Sequence, residues 1–154
     1  MPPISKVFEL ISLATVAKSA AEAKRHLFLR PGDGVTMNRD RLLADAKAKA
    51  LALAEGYRAP DPPPDVPLPG PTAKVALDLA VEAVVRRGGA TAHDQVVAGA
   101  LAEVLSGGET DITTPVGEED LLSLERRAFG RLIRQPASIA RIEHMLEAGK
   151  PLRN

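Results

Sequence analysis

"TAKVALDLAVEAVVRRGGATAHDQVVAGALAEVLSGG", residues 72–108, is the stretch on which the fold class turns. Thr72 is placed to cap a helix running to about Arg87, and Val75, Leu77, Leu79, Val81, Val84 and Val85 spread over most of its circumference. All-round apolarity predicts a central, buried helix. Gly88 and Gly89 end it, and Thr91 with Asp94 starts the next. There Val96, Val97, Ala100, Leu101, Val104 and Leu105 form an i, i+4 double row that stops at Gly107 and Gly108. Two helices joined by a glycine turn predict an all-α chain.

The same pattern extends in both directions. Downstream, "GETDITTPVG" is a polar loop, and "EEDLLSLERRAFGRLIRQ" places acids in a first helical turn and arginines toward the end, as the helix dipole favours. Its expected core face is Leu121, Leu122, Leu124, Phe129, Leu132 and Ile133. Pro136 suits the first turn of a last helix, with Ile139, Ile142, Met145 and Leu146 expected to face inward before Gly149. Upstream, "YRAPDPPPDVPLPGP", residues 57–71, holds seven of the 13 prolines, so helix interior and central strand are both excluded and an extended linker is expected.

Before that linker, Leu42, Leu43, Ala46, Ala50, Leu53 and Ala54 predict an amphipathic helix over 39–55, with an Asp45–Lys49 pair and Gly56 at its end. Ser19 and Glu22 form a capping-box pattern for a short helix over about 20–27. In "ISKVFELISLA", Ile4, Val7, Phe8 and Ile11 share one helical face, which needs cover in water. Six or seven helices thus fall into three expected parts: a helical segment over 1–56, the proline linker over 57–71, and a helical extension over 72–154.

Composition limits the function classes. Lys plus Arg and Asp plus Glu balance at 20 each, so no global field recruits nucleic acid or an anionic membrane surface. There is no cysteine, which removes disulfides, thiolate nucleophiles and cysteine-held metal centres. No apolar run approaches the roughly 20 residues needed to span a bilayer, and no secretory leader pattern opens the chain. A soluble cytoplasmic protein is the expectation. Aromatics are only 3% against abundant alanine, which favours close helix packing on small side chains.

Candidates for chemistry are few. His26 reads as a residue capping a helix end or lying at the surface. His93 and Asp94 are neighbours in a helix and so do not face one another, and Asp94 already has a capping role. Arg141 and His144 read as a solvated face. "PGDGVT" lacks the lysine and hydroxyl of a phosphate loop; "RRGGAT" and "SGGETD" do not follow a strand as a dinucleotide-binding turn requires, though "RRGGA" is a weak candidate for an anion. No histidine–carboxylate spacing resembles a metal site. The residues point to a helical interaction or scaffold domain, with no catalytic, cofactor-binding or metal-binding residue singled out.

Two segments carry a family resemblance. "ATVAKSAAEAKRHLFLRPGDGVTMNRDRLLADAKAKALALAEGY" and "LLSLERRAFGRLIRQPASIARIEHMLEAGKPLRN" resemble the C-terminal end of large bacterial 3-hydroxyacyl-CoA dehydrogenases in which an enoyl-CoA hydratase (crotonase-like) part follows the dehydrogenase part and which serve fatty-acid β-oxidation. The resemblance implies NAD and a CoA thioester as ligands of the full-length enzymes. Their NAD-binding turn, histidine–glutamate pair and crotonase core have no counterpart in these residues, so no cofactor is expected here and no catalytic residue carries over.

Three readings follow. The first is a C-terminal module without catalysis of its own, whether piece, split-gene product or gene remnant, with "GKPLRN" as the original terminus of a longer enzyme and Lys150 and Arg153 reaching into solvent or toward a neighbour. The second is a free-standing helical adaptor that keeps the family's fold and binds another protein through the Val7 to Leu13 face; the third is a small enzyme. In the first, Ile4, Val7, Phe8 and Ile11 pack against the missing dehydrogenase/crotonase part or against a second copy in a homo-oligomer.

Overall fold

The computed structural model describes residues 4–154. The chain is all-α: among the described residues it has seven α-helices, and its extended pairing is a single antiparallel bridge between Val66 and Val116. The helices are α1 (Ile4–Ser12), α2 (Ala20–Arg25), α3 (Leu42–Ala54, entered through a 3-10 turn at Arg39–Arg41), α4 (Pro71–Arg86), α5 (Ala92–Ser106), α6 (Glu118–Leu132) and α7 (Pro136–Ala148). Tertiary contacts divide them into two units, one formed by the chain up to Ala14 with 63–154, the other by Thr15–Pro62. These boundaries differ from the 1–56, 57–71 and 72–154 division, because α1 packs on α5 and the later prolines belong to the body that follows them.

In the first unit α5 is the hub, in contact with α1, α4 and α6. Besides His93 near its start, its buried positions are small, Ala98, Ala102 and Ser106, and small side chains let three neighbours approach closely. Phe8, Leu77 and Val81 complete the core with Ala98 and Ala102, and Ile4, Val85, Leu101 and Leu105 pack around it. The all-round apolarity of α4 therefore does not make it the central helix: Leu77 and Val81 are buried, whereas Val75 and Leu79 lie in solvent. On α1, Phe8 lies in this core and Ile4 packs against it, while Ile11 stays exposed.

The expected core faces of the last two helices are also turned outward in part. On α6, Leu121, Leu124 and Leu132 are half-buried and Ala128 is buried, but Leu122, Phe129 and Ile133 are exposed. On α7, Ile139, Ile142, Met145 and Leu146 are all exposed. Periodicity identifies a face that wants cover; it does not supply the neighbour.

The proline stretch is held at its far end. Val66 exchanges two hydrogen bonds of 2.9 Å with Val116, Leu68 is buried, and the Gly70 N–H donates to the Ser106 carbonyl over 2.8 Å. Pro71 then opens α4 in the first-turn position where its missing N–H costs nothing, so Gly70 rather than Thr72 occupies the cap.

In the Thr15–Pro62 unit local hydrogen bonds dominate. The Ser19 hydroxyl accepts from the Glu22 N–H over 3.1 Å, while the Glu22 carboxylate reaches back to the Lys18 N–H over 2.7 Å, one residue beyond the Ser19 N–H of the reciprocal box expected. Asp45 pairs with Arg41 at 3.3 Å and accepts from Thr36 at 3.0 Å; it does not pair with Lys49. Neither α2 nor α3 contains a buried residue, so Leu42, Leu43 and Leu53 are exposed and the leucine face of α3 is uncovered.

Candidate functional site

The densest polar cluster of the first unit forms where the α4–α5 turn meets α7 and the C-terminal residues. Its base is a capping box: the Asp94 N–H donates to the Thr91 hydroxyl over 3.1 Å, and the Thr91 N–H donates to the Asp94 carboxylate over 2.8 Å. This fixes Asp94 at the mouth of α5, with its other oxygen 2.8 Å from the Arg141 guanidinium of α7. Arg141 also donates to the Thr91 hydroxyl at 3.2 Å, the Asn154 side-chain oxygen at 2.7 Å and the Asn154 carbonyl at 3.3 Å. Asn154 in turn donates to the Ala137 carbonyl at 3.0 Å, and Arg153 donates to the Gly89 carbonyl at 3.1 Å. Arg141 is thus an internal clamp, not part of a solvated face, and Arg153 returns to the domain.

Burial pushes the Asp94 carboxyl up, but the Thr91 N–H, the Arg141 guanidinium and the Thr91 hydroxyl outweigh it and hold the group below its ordinary value of 3.8. The site therefore stabilises a carboxylate, the opposite of what a general acid at neutral pH requires.

His93 lies beside this clamp and is buried, with Nε2 2.9 Å from the Ser138 hydroxyl of α7. A serine–histidine contact suggests a nucleophile, but a working triad also needs an orienting acid and access for substrate. Asp94 is committed to Thr91 and Arg141, and His93 is only 7% exposed. The pair acts as a tie between α5 and α7. His144 is not among the partners of Arg141, and His26 stands apart in the Thr15–Pro62 unit, 3.8 Å from Glu22.

The glycine turns are occupied by helix ends. Gly88 and Gly89 donate to the carbonyls of Val85 and Val84, and Gly107 and Gly108 to those of Val104 and Glu103. Both are Schellman-type closures, so the amides an anion would need are already used, and "RRGGA" fails as an anion site. For the same reason these turns fit neither the pyrophosphate of NAD nor a CoA thioester. Among the described residues no three His, Asp or Glu side chains converge as a metal site.

A shallow groove of about 490 Å³ runs between the end of α5 and the start of α6, with Glu103, Glu109, Asp111 and Asp120 opposite Arg127. The hydroxyl and N–H of Thr113 hold the exposed Asp111 carboxyl below its ordinary value. This organises the turn that carries it.

Sequence reasoning missed the joining of Asp94, Arg141 and Asn154. A signal was present for part of it: Pro136 sets the phase of α7, so Ser138 and Arg141 fall on one face three residues apart. Nothing local marks Asn154. None of the described helices is long and apolar enough to cross a membrane.

Comparison with known proteins gives one orientation. No protein-family profile matches the chain, and no solved structure is significantly similar. A protein described as a probable 3-hydroxyacyl-CoA dehydrogenase from Bacillus subtilis (strain 168) is 42% identical over 149 residues. The aligned region is 97% of this chain and 19% of that relative, so the chain resembles a short region of a much larger dehydrogenase along almost its whole length.

Proposed function

We propose that this chain serves as the C-terminal helical module of a 3-hydroxyacyl-CoA dehydrogenase with an enoyl-CoA hydratase-like part, active in fatty-acid β-oxidation, contributing structure and a subunit interface and no catalysis alone. The observation that carries the reading is the disparity in coverage: 97% of this chain matches only 19% of the relative. The exposed leucines of α3 and the outward apolar residues of α6 and α7 give it physical support, since such faces are covered in finished assemblies. NAD and the CoA thioester then belong to the parts this module adjoins, in the cytoplasm.

Complementation tests it. The Bacillus relative is produced without the region that this chain matches, and the present chain is added separately. Co-elution and a recovery of dehydrogenase activity by about tenfold or more are expected. Failure to associate defeats the module reading and leaves the adaptor reading, in which the Val7 to Leu13 face takes another protein. Turnover of a 3-hydroxyacyl-CoA with NAD, or of an enoyl-CoA, by this chain alone defeats the claim that it is non-catalytic.

A further inference from the structure

We draw no further inference here: the strongest candidate, the exposed leucine face of α3 formed by Leu42, Leu43 and Leu53, carries nothing beyond the module reading, because nothing in the structure shows what covers it.

Discussion

Asp94 carries two tasks at one position, and pH separates its contribution from those of its neighbours. Its carboxylate caps α5 through Thr91 and holds α7 through Arg141, and both interactions favour the ionised form over the protonated one. The folded-state pKa lies below the unfolded one, so the stabilisation is complete above about 3.8 and is lost as pH falls through the lower folded-state value. Asparagine keeps an acceptor for the cap but has no charge to pair with Arg141. The urea midpoints of the native chain and of Asp94→Asn should therefore differ most near neutral pH and converge below about pH 4. Other carboxylates titrate in both proteins and cancel in the difference. A gap as wide at pH 3 as at pH 6 would show that Asp94 does not carry that charge-dependent stability.

At the level of elements, what the sequence made legible was local. Thr91 with Asp94, Pro136, and the paired glycines after α4 and α5 marked helix ends because capping chemistry is settled within a few residues. The central helix was not legible, since burial depends on which neighbours come close, and α5 earns its place through Ala98 and Ala102 rather than through its valines. Nor was the anchoring of the proline stretch, although alternation hinted at it. In extended chain every second residue faces the same way, and Val66, Leu68 and Gly70 are the three that bridge, bury and hydrogen-bond. Gly70 is the critical one. It sits at φ +62 with ψ −148, and an added Cβ would collide with the Thr110 carbonyl oxygen. Gly70→Ala should lower stability by about 3 kcal/mol or more, whereas Gly56→Ala, also at positive φ but in open space, should lower it by about 1 kcal/mol. Chemical denaturation measures both, and equal losses would mean that Gly70 does not pin the start of α4.

Across the whole molecule the two units differ in what holds them. The one that includes α5 has a core of Phe8, Leu77, Val81, Ala98 and Ala102. In Thr15–Pro62 neither α2 nor α3 has a buried residue, and hydrogen bonds such as Thr36 to Asp45 and Lys24 to the Pro31 carbonyl do the holding at the surface. The α3 sequence, "LLADAKAKALALA", is made of good helix formers, yet 13 residues without tertiary cover are marginal in water. Local opening should consequently be far easier in α3 than in α5. Amide hydrogen exchange on the isolated chain should show α5 protected at least about a hundredfold more than α3. Protection that is uniform over both helices would contradict the burial difference. If the leucine face of α3 is where a larger enzyme closes over this module, protection in α3 should rise toward that of α5 when the truncated dehydrogenase is added. Protection in α3 that does not change on that addition would show that the enzyme does not close over this face.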